Sequence, residues 1–378
     1  MNDSHEDRLA RVALGRLGEP GDPRVSNLVS ELGATRLYDH LAQQRDEGGL
    51  LDEVAARLAT LDPEADLDRA ARQGIRFVIP GDDEWPSQLD ELDYCEALQD
   101  RAGAPLGLWA RGPVRLNEVG NSIAVVGSRS ATSYGADVAG ELSARVVEKK
   151  VSVISGAAFG IDQAAHRGAL AAGGGTIAVL ACGVDRAYPA AHADLLRYIG
   201  EHGVVVSELA PGCAPTRLRF LARNRIIAGL ARGSVVVEAA VRSGALNTAN
   251  WTGRLNRFLM GVPGPVTSAP SAGVHQLIRT GAATLVTQAG EVLEVIGASG
   301  EALFEMPKAP EKARDRLSTR DAQVLDAVPV SKPAQADSIA RTAGVGLVGA
   351  RRSLDNLSGM GLVEVSQHGW RLSAVGRA

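Results

Sequence analysis

The sequence of 378 residues predicts an α/β fold: a Rossmann-like, doubly wound, mostly parallel sheet with an N-terminal helical domain and a C-terminal winged helix. Three observations carry this. From residue 123 onward, short apolar runs without alternation (123–126, 151–154, 176–180, 204–206, 235–237 and 258–262) are separated by helical stretches near 134–149, 161–172, 192–202, 218–231 and 244–256. Strands that are apolar on both faces and joined through helices belong to a parallel sheet covered on both sides. The last sixty residues follow another pattern, with helical stretches near 319–328, 335–343 and 347–358. Two short strands, 361–365 and 370–372, then flank a turn, which is the order of a winged helix-turn-helix. Before residue 72 the pattern is of short amphipathic helices, with Leu9, Val12, Ala13 and Leu17 on one face and Leu28, Val29 and Leu32 on another.

The domain order expected is 1–72, a helical domain of SAM or helix-hairpin-helix type; 73–298, the Rossmann-like core; 299–316, a linker rich in Ala, Pro, Glu and Lys; and 317–378, the winged helix. Gly18, Pro20, Gly21 and Pro23 break the first helical run, and 74–80 reads as a strand that opens the second domain.

Charge narrows the function classes. The net charge is −4, but residues 1–100 hold 10 Lys/Arg against 23 Asp/Glu, whereas 101–310 hold 20 against 14 and 311–378 hold 10 against 7. A basic core beside an acidic start points to a polyanion partner. Aromatics are only 4% of the chain, which disfavours a sheet that stacks successive bases in the manner of RNA-recognition modules. The three cysteines (Cys95, Cys182, Cys213) have neither disulfide nor zinc spacing, and no run approaches the ~20 apolar residues of a membrane span. A cytoplasmic protein with no metal and no cofactor is expected.

In a doubly wound sheet, ligands bind where strands end and helices begin. The first such junction, Gly127-Ser128-Arg129, offers small residues, helix-start amides and a guanidinium fork. It is not GxGxxG, and the chain has no Gly-Lys pair, so a Walker A loop is excluded. The second, Ser155-Gly156 through Gly160 to Asp162, is a tight turn, and the Asp162/His166 pair one helical turn apart reads as structural rather than metal-binding. At the third, Cys182 reads as a small buried thiol. The fourth region is the most unusual: between 217 and 257 stand eight arginines, Arg219, Arg223 and Arg225 among them, and a single acid, Glu238. Arginine is the side chain suited to phosphate, and a continuous cationic trough along the carboxyl rim of the sheet is expected. The fifth junction, Ser243-Gly244, adds another amide-rich turn.

These motifs, in this order, resemble the DNA-processing protein A family (DprA/Smf). The matching pieces are Gly127-Ser128-Arg129, Ser155-Gly156, Gly160-Ile161-Asp162, His166, Tyr188-Pro189, Ser207-Glu208, Arg223-Asn224-Arg225, Val237-Glu238, Ser243-Gly244 and Pro263-Gly264, over about 75–297. The chain departs from the family pattern at Ala157, at Ala190 to His192 where many members place Lys and Asn, and at Leu221. The resemblance implies a non-enzymatic binder of single-stranded DNA acting in recombination and natural transformation, a homodimer that protects incoming strands and helps load a RecA-type recombinase, with a single-strand-binding protein as a further expected partner. The expected phosphate-binding residues are Gly127, Ser128, Arg129, Ser155, Gly156, Gly160, Arg219, Arg223, Asn224, Arg225, Ser243 and Gly244.

Two other readings use the same residues. One is a nucleotide enzyme of phosphoribohydrolase type with Glu238 as its base. The other makes the winged helix the DNA reader through Arg351 and Arg352, with the core a scaffold.

Overall fold

A computed structural model describes residues 2–45, 49–297 and 313–377. The chain divides into two compact units, Met1–Phe304 and Glu305–Ala378.

The first unit opens with five helices: α1 (Asn2–Leu17), α2 (Pro23–Leu32), α3 (Ala34–Ala42), α4 (Leu51–Leu58) and α5 (Pro63–Arg72). Their starts follow from local sequence. Asp22 and Asp62 cap α2 and α5 with their side chains, and a proline occupies the first turn of each. These helices dock on the sheet. Val12 and Ala70 share one apolar cluster with Phe77, Trp109 and Leu180, so packing runs continuously across the boundary expected at 72/73.

Then come β1 (Ile75–Val78), β2 (Leu108–Arg111), β3 (Ser122–Val126), α6 (Ser133–Glu148), β4 (Ser152–Ser155), α7 (Ile161–Ala171), β5 (Thr176–Val179), α8 (Ala193–His202) and β6 (Val204–Ser207). The unit continues with α9 (Arg217–Leu230), β7 (Gly233–Val236), α10 (Ala245–Arg254), β8 (Phe258–Gly261), α11 (Ala272–Arg279), β9 (Thr284–Leu285) and α12 (Ala289–Ile296). The nine strands form one sheet in the order β1-β2-β6-β5-β4-β3-β7-β8-β9. Pairing is parallel from β6 to β9 and antiparallel at β1–β2 and β2–β6.

The doubly wound sheet expected from the sequence is therefore present, with two strands the apolar pattern did not mark. β2 is short, and it forms because Leu108, Trp109 and Ala110 are almost completely buried, with the Trp109 ring tilted against Phe77 at 4.6 Å. β9 is two residues on an open edge, too short for a pattern to register.

One face of the sheet is covered by α9 and α10, with Leu89, Leu92, Ile226 and Trp251 at the centre, and the other by α6, α7 and α12, with Leu142, Val146, Ala165 and Val292. After β6, helix α9 carries the chain back across the sheet to β7, which pairs with β3. The winding direction reverses between β3 and β7, the crevice where open α/β sheets receive ligands.

The second unit contains a 3-10 turn, Ala313–Arg316, at the end of the expected linker, whose residues 299–312 lie outside the described ones. It continues with α13 (Thr319–Ala327), α14 (Ala336–Ala343), α15 (Leu347–Gly359), β10 (Val363–Ser366) and β11 (Gly369–Leu372). The two strands form an antiparallel hairpin, and Ala334 adds a bridge to Trp370. Val324, Ile339, Leu354 and Leu357 make its own core. This is the three-helix-and-hairpin order read from the sequence. Among the described residues, no helix is long and apolar enough to cross a membrane.

Candidate nucleic-acid interface

The loops after β3, β4, β5 and β7 meet the start of α9 at the carboxyl edge of the sheet. Two glycines make the meeting possible. Gly160 has φ +77, and a Cβ there would strike the carbonyl of Ser128, so only glycine lets the loop after β4 close on the loop after β3. The Ile161 amide seals that contact, donating to Ser128 O at 3.1 Å. Gly156 leaves the space in which the guanidinium of Arg223 sits, and a Cβ there would fall inside that group.

Arg223 is the centre of the site. It is 6% exposed and donates from Nη1 to Val179 O at 2.7 Å, while its buried Nε has no acceptor. Burial lowers its pKa to about 10; the Asp162 carboxylate opposes that fall and the nearby Arg129 charge adds to it. At neutral pH the group is still a cation, stripped of water and short of acceptors. Asp162 is buried too and accepts from the amides of Gly156 (3.1 Å) and Ala158 (3.3 Å). Burial raises its pKa, and Arg223 and those amides pull it back.

Arg129 is exposed, and its guanidinium carbon stands 4.7 Å from the centre of the Phe220 ring; that of Arg223 lies 5.9 Å from the same ring. Tyr188 flanks Phe220 at 5.5 Å, and Phe159, 47% exposed, packs on the edge of His192 at 4.7 Å. The rim thus presents two guanidinium groups sharing one aromatic ring, with the half-exposed rings of Tyr188 and Phe159 beside them. The low aromatic content concealed this cluster, because its aromatics lie in strand-end loops and the first turn of α9 and not on the sheet. Tyr188 stands in the Tyr188-Pro189 motif, two residues after Arg186, and that pairing was the available signal.

The continuous arginine trough expected from the sequence is not what the fold builds. Arg219 is held by both oxygens of Glu19 (2.7 and 2.9 Å) and donates to Ala214 O. Arg225 is fully buried, gripped by both oxygens of Glu208 at 2.7 Å and bonded to Gly103 O. Arg254 and Arg257 pair with Glu96 and Glu91, and Arg232 reaches Asn121. The reason is geometric. A helix between parallel strands runs from the carboxyl edge to the amino edge, and α9, 14 residues long, spans about 21 Å at 1.5 Å per residue. Arg217, Arg219 and Arg223 therefore stand at the carboxyl rim, whereas Arg232, Arg254 and Arg257, next to the amino ends of β7 and β8, do not. Of the eight, Arg217 and Arg242 are exposed with no partner among the described residues.

The amide pockets are also partly taken. Glu238, 1% exposed, accepts from Thr132 N (2.9 Å) and Thr132 Oγ1 (2.6 Å) at the start of α6, so a carboxylate of the protein holds the helix start expected to receive a phosphate. Ser155 is fully buried and donates to Val125 O at 2.7 Å, a strand-to-strand tie. Ser128 is half-buried and accepts from the Ser130 amide. Asn224 donates to Asn247 Oδ1 (3.1 Å) and to Gly244 O (3.4 Å), fixing the Ser243–Gly244 turn, in which Ser243 Oγ accepts from the Ala245 amide. Gly127 and Gly244 face solvent in part. The structure thus gathers Gly127, Ser128, Arg129, Gly156, Gly160 and Arg223 into one patch and diverts Ser155, Arg219 and Arg225 to other partners.

His166 and Asp162 do not bond each other. His166 Nδ1 lies 2.7 Å from Thr176 Oγ1, which itself donates to Val153 O. Burial, reinforced by His192 and Arg223, lowers the His166 pKa to about 3, so the ring is neutral. Cys182 is buried and its thiol is pushed up to about 11 by burial, the state of an inert thiol. Among the described residues, no three His, Cys, Asp or Glu side chains are grouped to hold a metal.

A family model described as DNA recombination-mediator protein A matches residues 76–297. Over 368 residues the chain is 43% identical to the DNA processing protein DprA of Mycobacterium tuberculosis, covering 96% of this chain and 94% of the relative. Among solved structures it is similar to DNA processing protein A of Streptococcus pneumoniae, with a TM-score of 0.63 at 32% identity over 79% of this chain and 99% of that one. DNA processing protein A of Helicobacter pylori, solved for its single-stranded DNA binding mode, shares the fold with a TM-score of 0.50 at 23% identity, over 58% of this chain and 94% of that one. A match across more than half the chain and a relative aligned nearly end to end place this protein in the DNA recombination-mediator protein A family, the DprA/Smf DNA processing proteins.

Proposed function

We propose that this chain binds single-stranded DNA without catalysis, acting in recombination and natural transformation to protect incoming strands and help load a RecA-type recombinase. The observation that carries this reading is Arg223, a dehydrated cation with a donor to spare, beside the exposed Arg129 and a ring they share. A flexible sugar-phosphate chain offers both things the patch wants: an anion for the guanidinium groups and bases that stack on Tyr188 and Phe159. Gly127 and Ser128 let the strand approach the backbone, Gly156 and Gly160 make room for Arg223 and for the closed loop behind them, and Asn224 holds the Ser243–Gly244 turn at the far side.

A homodimer would be formed on the open edge of the sheet, where β9 is exposed and Phe258 and Leu285 are each about half exposed. The recombinase and a single-strand-binding protein are then partners of the loaded strand.

The test is a salt-titrated gel shift with single strands, duplex and free nucleotides, on the native protein and Arg129→Ala. The substitution should weaken single-strand binding and flatten the slope of log K against log salt by about one. Unchanged affinity and slope would remove the site. Turnover of a nucleoside monophosphate that Glu238→Gln abolishes would favour the phosphoribohydrolase alternative, against which stands the burial of Glu238 under two hydrogen bonds from Thr132.

A further inference from the structure

The C-terminal unit has a charge pattern that its own fold does not use. Most of its described arginines have a partner: Arg314 pairs with Asp326, Arg341 with Asp337 and Arg371 with Glu364, and Arg377 donates to Leu372 O. Three exposed ones have no partner among the described residues: Arg320, Arg351 and Arg352. Two of them are neighbours on one helix. Arg351 and Arg352 lie in the first half of α15, and Arg320 reaches across from α13, its Cδ 3.8 Å from the position a Cβ on Gly349 would take.

The same helix start exposes two aliphatic side chains, Leu347 (41%) and Val348 (84%). The buried side of α15 is formed by Ala350, Ser353, Leu354 and Leu357, so the exposed residues form the opposite, outward face. The tight turn between α14 and α15 is set by Gly344, in the left-handed conformation at φ 68. In a helix-turn-helix this second helix is the one presented to a groove. One exposed acid, Asp355, shares this outward face, four residues after Arg351 and three after Arg352, and the two guanidinium groups outnumber it.

We infer that α15 is a second nucleic-acid site, separate from the strand-end patch, and that its ligand is duplex DNA read in the major groove. The chemistry favours duplex over single strand. Guanidinium forks pair with the O6 and N7 edge of guanine, and aliphatic side chains meet the thymine methyl, in a groove wide enough for a helix. There is no aromatic ring on this face on which an unpaired base could stack. A protein with one site for each form of DNA should prefer molecules that carry both, a duplex with a single-stranded tail.

The full-length protein is titrated by fluorescence anisotropy into oligothymidine, a blunt duplex and a tailed duplex at one low salt concentration. The double variant Arg351→Ala/Arg352→Ala should lose duplex affinity about tenfold or more and keep oligothymidine affinity within about twofold. Val348→Asp, at a position that packs against nothing, should also lose duplex binding by placing a carboxylate in the groove. Arg129→Ala should do the reverse, lowering only oligothymidine binding, so that failure of the single-strand reading is told apart from failure of this one. The native protein should bind the tailed duplex more tightly than either simple ligand. No binding to the blunt duplex, or unchanged duplex affinity in both α15 variants, overturns the inference.

Discussion

Arg223 places its guanidinium in the volume that any residue larger than glycine at position 156 would fill with its Cβ. The Arg223 guanidinium and the glycine of the Ser-Gly motif are thus one device, built by a helix and a loop that are far apart in sequence.

Gly156→Ala should therefore act on Arg223 first. The methyl group displaces the guanidinium from Val179 O and from Asp162, at a stability cost of about 1–3 kcal/mol. Single-strand affinity should fall about tenfold while the salt slope changes by about one. Melting temperature and salt-titrated binding, measured together, check both parts.

Arg219 is held by Glu19 at a rim where a phosphate would also attract it. Glu19→Gln should release it. The expected result is a few-fold gain in single-strand affinity at low salt and a slope steeper by up to about one. A slope that does not move shows that Arg219 stays on Ala214 O and never reaches the strand.

Arg225 and Glu208 form a buried pair with no role at the rim. Arg225→Met should destabilise the protein by about 3–5 kcal/mol, because it leaves Glu208 without its partner. Adding Glu208→Leu should recover most of that loss. Urea unfolding of the two variants measures it, and the salt slope of DNA binding by the double variant should equal that of the native protein.

His166 makes stability depend on pH in a defined direction. Its folded pKa is about 3, against about 6.5 when unfolded. Between these values the unfolded chain binds the proton and the folded chain does not, so stability is full above about pH 6.5 and declines as the pH falls toward 3, by a few kcal/mol in all. His166→Gln keeps a donor for Thr176 and removes the titration. Urea midpoints at pH 7.5 and pH 5 should fall less in this variant than in the native protein; equal falls would refute the assignment.

Sequence reasoning reached the doubly wound sheet and the winged helix because both are written in local patterns: apolar runs of three to five residues, helix-length spacers, and two short strands flanking a turn. It placed Gly127, Arg129, Gly156 and Gly160 in strand-end loops, which are local features too. It misjudged the arginine stripe because pairing is not local. Glu19 lies 200 positions from Arg219, and Glu91 lies 166 from Arg257. Charge counted along the chain treats the acidic first hundred residues and the basic core as separate regions, whereas in the folded protein one neutralises part of the other. Phe220 escaped notice for a related reason: a single phenylalanine in an arginine-rich segment has no pattern, and only the approach of the loop after β3 makes it a shared platform.

The carboxylate of Glu238 at the start of α6, and that of Asp162 against the amides of the next loop, have a consequence for selectivity inside a cell. These are the positions at which nucleotide-binding folds grip a pyrophosphate, and here both are already taken by a carboxyl group of the protein itself. Free ATP and dinucleotide cofactors, abundant wherever DNA is processed, would find the donors of their natural seat already engaged. A polymer that spreads its charge over the outer arginines would not depend on that seat. The protein would thus keep its hold on a strand in the presence of the most common phosphate compounds around it.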